Sequence, residues 1–428
     1  MFFNPLFSHC TVQTIFYNSG PVVHFGKTLH SDIDEMVYSS QKAIIISNGS
    51  IDAIIDSQDA IDEYAIHAGE CSNESVTVHD LGGNAVVPGL IDPHTHLLWD
   101  GDRSKEVAWR REGLSYADIA KRGGGIQHTV NATRSASNER LFELGYLRLR
   151  ESLRTGTTHM EAKSGYGLSL EHELRLLEVA DSLQTISHIP TLDLTWMGAH
   201  DVPKDSTKSE YVESLLSQQL PAVIEQGVAR SADVFCEPGW FTLEDAEDIL
   251  RASQDAGLAT RMHIDEFADG GGGSLAAELG VTTADHAYHT PLSSRLEMRD
   301  ANVLTGFLPG TPYAMGDPWP DMTLVGEHEI PFTLATDFNP NCRTLSLPFM
   351  CSLLVQRCNL HPIEALKAVT VTAAKSTPHP SGHRHGQLMA GAVANLNIVD
   401  GPHWEAVALR PTGSPFKATV LNGQFIAH

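Results

Sequence analysis

Two histidines one residue apart, His94 and His96 in PGLIDPHTHL, are the first residues of the chain whose type and spacing suit chemistry. Side chains along an extended strand alternate between faces, so an H-x-H pair puts both imidazoles on one side, as two ligands of a single ion require. The pair alone decides little. The chain holds 22 histidines, and a second H-x-H, His383 and His385 in SGHRHG, reads as a solvent-exposed loop. A third imidazole, His263 in HIDEF, and a carboxylate, Asp337 in ATDFNPN, complete a shell of three nitrogens and one oxygen. That shell suits one Zn or Fe ion and leaves a position for water. An ion so held lowers the pKa of its water and polarises a carbonyl oxygen, which is what hydrolysis of an unreactive amide needs. Asp337 is placed to take the water's proton, Glu266 to act as general acid three residues beyond His263, and His286 in TTADHAYH to hydrogen-bond the scissile carbonyl.

Residues so far apart need a scaffold that brings them together. Short apolar runs fall near 85–90, 158–162, 192–196, 233–236, 259–262, 283–285, 303–307 and 332–335. Helix-sized segments lie between them, and 141–154 (LFELGYLRLRESLR) has clear amphipathic spacing. Alternating strands and helices imply parallel βαβ units and, with eight repeats, a TIM-like (β/α)8 barrel of the α/β class. His94 and His96 then follow strand one, His263 and Glu266 strand five, His286 strand six and Asp337 strand eight. All of these positions are strand C-termini, the face where the βα loops of such a barrel converge on one cavity. The triple glycine 123–125 reads as an active-site loop, and DGGGGS at 269–274 as another βα loop.

The ends of the chain have a different texture. Runs at 43–47 and 50–55 are rich in β-branched residues, and VANLNIVDG and FKATVLNGQFIAH close the chain with a hairpin signal at Asn422-Gly423. The simplest arrangement combines both termini, 1–86 and 389–428, into one small β-sandwich domain beside a barrel spanning 87–388.

A length of 428 residues with 42% hydrophobic residues supports a large core. The formal net charge of −24 excludes a nonspecific grip on nucleic acid or on an anionic membrane surface, both of which need clustered cations. It suits solubility or a saline medium. The six cysteines form no CxxC pair, and no segment has the roughly 18 consecutive apolar residues of a membrane helix. These features fit a soluble cytoplasmic protein whose partner is a small molecule.

More specific loops accompany the metal pattern. Between Val86 and Ala374 the chain carries GDRSKE, RGGGIQHTVNATR, EAKSGYGL, MGAHDVP, HIDEFADGGG, FLPGTPY and ATDFNPN. With these it resembles the imidazolonepropionases, metal-dependent members of the amidohydrolase superfamily. The resemblance implies hydrolytic ring opening of 4-imidazolone-5-propanoate to N-formimino-L-glutamate in histidine degradation, with His94, His96, His263 and Asp337 on zinc or iron. It implies Glu266, His286 and Asp337 as catalytic groups, and Arg103, Tyr166, His200, Glu266, Asn339 and Asn341 as substrate contacts, in a chain that forms a homodimer. Lys163 reads as structural or electrostatic. Where that family has a glycine and small residues after DFNP, this chain has Asn341, Cys342, Arg343 and Thr344. Another amidohydrolase, such as a formiminoglutamate deiminase or a cyclic-amide hydrolase, would share the metal shell but not the KSGYG and GAHDVP loops. A noncatalytic barrel scaffold would have eroded ligands.

Overall fold

In the computed structural model, which describes residues 13–26, 33–62, 76–114, 116–316 and 318–428, the apolar runs form eight parallel strands. They are β1 (Leu90–Asp92), β2 (Thr157–Lys163), β3 (Thr191–Ala199), β4 (Ser231–Cys236), β5 (Ala259–Ile264), β6 (Thr283–His286), β7 (Leu304–Phe307) and β8 (Phe332–Leu334). Each pairs with its neighbour in the chain. A parallel bridge from Thr95 to Phe338, just past β1 and β8, brings the two edges together and closes the barrel.

The helices show why the segments between strands fold as they do. In Asn138–Arg154, Leu141, Gly145, Leu149 and Leu153 recur every fourth residue and are buried, while Ser137 caps the first turn by accepting from the Arg140 amide. Gly145 is small for a reason: a Cβ there would lie 2.6 Å from Leu183 and 2.8 Å from Leu98. Thr207 with Glu210 and Thr242 with Asp245 form complete capping boxes on two further helices.

The two ends of the chain form a pair of sheets. One has the order Ser50–Asp56, Lys42–Ser47, Gln13–Tyr17, Thr77–Asp80; the other runs Gln424–Ala427, Phe416–Leu421, Leu396–Val399, Val86–Pro88, Val22–Val23, Val37–Tyr38. Phe16, Ile44 and Ile46 of the first pack against Val86, Leu396 and Val420 of the second. The final hairpin turns at Asn422 and Gly423, both with positive φ (50° and 82°), as a two-residue hairpin loop demands.

Two expectations are corrected. The apolar run at 85–90 is not a single barrel strand: Val86–Pro88 pairs with the C-terminal strand Leu396–Val399, and β1 begins only at Leu90. Periodicity cannot reveal a change of partner inside one apolar run. The change occurs at Pro88, which has no N–H to donate, and Gly89, where a Cβ would lie 2.4 Å from Thr158 Oγ1. His385, expected in an exposed loop, is buried, while His383 is exposed. The segment after the helix Ala373–Ser376 folds back on the barrel, and Gly386, with φ 69°, packs too closely against the Thr370 carbonyl for any Cβ. Cys10 and Cys71 lie outside the described residues; Cys236, Cys342, Cys351 and Cys358 are free thiols. No helix among the described residues is long and apolar enough to cross a membrane.

Replacing Gly89 with Ala should therefore lower stability by about 1–3 kcal/mol through overpacking where the two sheets meet. An unchanged thermal midpoint would show that the crossing tolerates a side chain.

Candidate active site

The metal candidates meet as the strand map requires. His94 and His96 flank Thr95, which turns the other way and anchors the segment through its hydroxyl to the Glu161 carbonyl at 2.6 Å and its amide to Glu161 Oε2 at 3.1 Å. His263 is the second-last residue of β5, and a hydrogen bond from the Asp337 amide to the His94 carbonyl ties the β8 exit to the β1 exit at 3.2 Å. One ring nitrogen each of His94, His96 and His263 lies within 4.8 Å of the others. Asp337 Oδ1 is 3.6 Å from His94 Nε2 and 3.7 Å from His96 Nε2.

Hydrogen bonds fix which nitrogens are available. His94 Nδ1 meets Asp285 Oδ2 at 2.7 Å and His263 Nδ1 meets Asp233 Oδ1 at 3.0 Å. Each carboxylate holds its partner's proton on Nδ1 and leaves Nε2 as a lone pair. Both Nε2 atoms are buried without a hydrogen-bond partner among the described residues. Buried acceptors left bare at such spacing, beside an anionic Asp337, fit one metal ion.

The charges below the shell are balanced by Lys163, which is fully buried and meets Glu161 Oε1 at 2.9 Å and Asp233 Oδ2 at 2.6 Å. Burial alone would pull its pKa down, but Asp233 and Glu161 outweigh that and hold it above the usual lysine value. The same contacts act on Asp233: burial pushes it up, while His263 and Lys163 together bring it below the ordinary carboxylate range. Asp285 lacks so close a cation, and burial raises it to about 6. Burial also raises Asp337, with His263 and the Thr311 hydroxyl, 2.8 Å from Oδ2, opposing.

Above the shell lies a cavity of about 430 Å³. Its wall contains every candidate catalytic and substrate-binding residue, together with His96 and His263; His94 lies just outside it. Tyr166 and His200 stand beside His96, with ring centroids 5.7 and 4.8 Å from it, and the His200 ring stacks at 16°. Their loops are held by buried acids. Glu173 accepts from the amides of Gly165, Gly167 and Leu168 at 2.7–2.8 Å, shaping the turn that carries Tyr166. His200 Nδ1 donates to the Gly165 carbonyl at 2.8 Å, and burial lowers its pKa to about 3, so a neutral ring offers Nε2 as an acceptor.

Arg103 is gripped on its Nε–Nη2 edge by Glu106, both bonds 2.8 Å, and Glu106 also accepts from the Gly125 amide, tying GDR to the triple-glycine loop. Asp265 organises the other glycine-rich loop by accepting from Gly270 and Gly272. Glu266 Oε2 lies 3.7 Å from His286 Nε2, and its backbone amide is held by Glu237, whose carboxyl burial raises to about 7. Asn339 spends its amide within the turn, donating to the Asp337 carbonyl at 2.8 Å and accepting from the Asn341 amide at 2.7 Å. Asn341 Oδ1 lies 3.4 Å from Arg110.

No family model matches the chain. It is 39% identical to the imidazolonepropionase of Haloarcula marismortui over 84% of both chains. The chain belongs to the imidazolonepropionase family. The family member of Symbiobacterium thermophilum is 40% identical over 76% of this chain and 78% of its own. Solved structures with the same fold include an adenosine deaminase from Xanthomonas campestris with bound zinc, at TM-score 0.69 and 14% identity, covering 97% of this chain and 92% of that one. A 5-methylcytosine deaminase from Klebsiella pneumoniae gives the same score and identity, covering 97% of each. As an imidazolonepropionase-family chain with a His-rich shell of this kind, the protein holds one metal ion.

Sequence reasoning missed the supporting acids: Asp233, Asp285, Glu161, Glu106, Glu173 and Glu237. The signal existed for two of them. Asp233 and Asp285 stand inside parallel barrel strands, SADVFC and TADH, whose residues are buried on both faces, where a carboxylate is costly unless it has a partner.

Asp285→Asn should weaken metal binding about 10–100-fold, measured by competition with a chelator, because His94 loses the partner that fixes its proton; undiminished affinity would remove Asp285 from that role. Burial, aided by neighbouring imidazoles, also depresses the pKa of His94, His96, His159, His200, His286, His379 and His385, the last two to about 4. The unfolded chain takes up these protons near pH 6.5 and the folded chain does not. Their contribution to stability is therefore present above 6.5 and lost as pH falls through the lower folded values. The thermal midpoint should drop steeply between neutral pH and pH 4, and a flat profile would contradict the buried neutral rings.

Proposed function

We propose that this chain hydrolyses the ring C–N bond of 4-imidazolone-5-propanoate to give N-formimino-L-glutamate, a step of histidine degradation. The observation that carries the reading is the meeting of Tyr166, His200 and Arg103 over His96 in one cavity. A metal shell alone suits many hydrolases. A neutral imidazole acceptor, a phenol and a guanidinium above it suit a flat polar ring with a carboxylate tail.

His94, His96, His263 and Asp337 hold the ion, zinc or iron, since a shell of nitrogens and one oxygen accepts either. When bound, it supplies Lewis-acid polarisation of the ring carbonyl and a more acidic water. The remaining work belongs to side chains. Arg103 holds the propanoate carboxylate, Tyr166 and His200 fix the ring plane, and His200 Nε2 accepts from a ring N–H. Asp337 takes the proton of the attacking water, His286 hydrogen-bonds the carbonyl oxygen as charge develops on it, and Glu266 delivers a proton to the departing ring nitrogen. Water is thus added across the bond: its oxygen joins the carbonyl carbon, and a proton reaches the nitrogen. Asn339 and Asn341 border the substrate from the β8 exit. A homodimer in a reducing cytoplasm completes the reading.

Incubation of the metal-loaded protein with fresh imidazolone propionate should consume substrate absorbance and produce formiminoglutamate. Glu266→Gln should retain its metal while turnover falls by about 10²–10⁴-fold. Full activity in that variant would remove Glu266 from proton transfer, and no turnover in the metal-loaded wild type would overturn the substrate.

A further inference from the structure

Glu266 is the group that moves a proton to the departing nitrogen, yet it stands beyond the end of β5, on the loop that follows Ile264. A loop needs an anchor. Asp265 takes a left-handed conformation, φ 48°, and the next two amides, those of Glu266 and Phe267, both meet the side chain of Glu237, the first residue past β4. Glu237 Oε1 accepts from the Glu266 amide, and Oε2 accepts from the Phe267 amide at 3.4 Å. One carboxylate thus gives each of two successive peptide units its own oxygen.

The anchor is itself fixed. Glu237 is 2% exposed, its backbone carbonyl accepts from the Trp240 amide at 2.9 Å, and Cys236 just before it bridges to Phe241. It is also an expensive choice. Among the described residues Glu237 forms no ion pair, and Asp265 nearby adds like charge, so two amides are what compensates a carboxylate taken out of water. A carboxamide would offer one acceptor oxygen where the carboxylate offers two.

The other loop-holding acids act on residues that bind. Glu106 grips Arg103, and Glu173 shapes the turn that carries Tyr166, whereas Glu237 holds the peptide of Glu266 itself. Glu266 and Phe267 both line the cavity, and Glu266 Oε2 stands 3.7 Å from His286 Nε2. Proton transfer within such a site tolerates little error, since a misplacement of about 1 Å can cost on the order of 10²-fold in rate.

We propose that Glu237 is a positioning residue for the proton-transfer step, setting where the Glu266 carboxyl meets the substrate by fixing the Glu266 and Phe267 peptides. The inference rests on the assignment of Glu266 as general acid.

In Glu237→Gln the side chain keeps its size, but one oxygen becomes an NH2 group that faces a backbone N–H, donor against donor. The metal-loaded variant should keep one metal ion per chain and a KM within about twofold of wild type, while kcat falls about 10–100-fold. Adding Glu237→Gln to Glu266→Gln should leave the residual kcat of Glu266→Gln unchanged within about twofold, because the group being positioned is already gone. A purely structural role would lower both backgrounds by the same factor. Glu237→Gln at the wild-type rate, a loss confined to KM, or an equal further loss in the Glu266→Gln background each overturns the proposal and leaves Glu266 its role. Full activity of Glu266→Gln removes that role and the inference with it. Glu237→Asp, which keeps both acceptors and draws the loop in by one methylene, carries the same comparison where Glu237→Gln does not fold.

Discussion

Everything at the mouth of the barrel hangs on one buried ammonium group. Lys163 sits between Glu161 and Asp233, and through them it reaches both halves of the metal shell: Asp233 orients His263, and Glu161 holds the Thr95 amide between His94 and His96. Taking three charges out of water is expensive, and their mutual attraction offsets the cost only with close geometry. Removing the cation would leave two carboxylates uncompensated in the barrel interior, a penalty of about 3–5 kcal/mol of the kind measured when buried pairs are broken. The lysine is thus the counterweight that allows acids to stand where they can steer imidazoles.

That polar interior is matched by backbone held in sparsely populated conformations. Asp265, His286 and Asp337 all have φ between 47° and 67°, the left-handed region that residues with a Cβ seldom enter. Such geometry costs of order 1–3 kcal/mol per residue and persists only where the surroundings over-determine it. Here they do: the Asp337 amide bonds the His94 carbonyl, and the Asp265 carboxylate gathers two glycine amides and the Thr290 hydroxyl.

The barrel, the terminal β-sandwich and the meeting of the site residues were legible because each leaves a periodic or local trace: alternation of strands and helices, an Asn-Gly hairpin, polar residues at strand ends. His94, His96, His263 and Asp337 could be placed together before any coordinates, since strand C-termini of a closed barrel share one face. What stayed hidden depends on long-range partnership. Nothing local says that Val86–Pro88 leaves the barrel to pair with a strand three hundred residues later, or that His385 turns inward while His383 does not. Glu106, Glu173 and Glu237 carry no local mark in the sequence, because what makes them structural is the set of backbone amides that only the folded loops aim at them. The role of Lys163 was half visible: an electrostatic part could be assigned, but its two partners could not.

The pairing of Val86–Pro88 with Leu396–Val399 also sets an order of events during synthesis. The segment that leads directly into His94 and His96 is held by a strand the ribosome delivers long after it, and Asp337 itself comes after most of the barrel. An emerging chain can lay β1 to β7 side by side in sequence, each beside the one before it, while Val86–Pro88 waits with its sheet partner still unmade. The candidate pair His94 and His96 is thus the first part of the shell to be translated, while the segment just before it is fixed only once Leu396–Val399 has been made, well after Asp337.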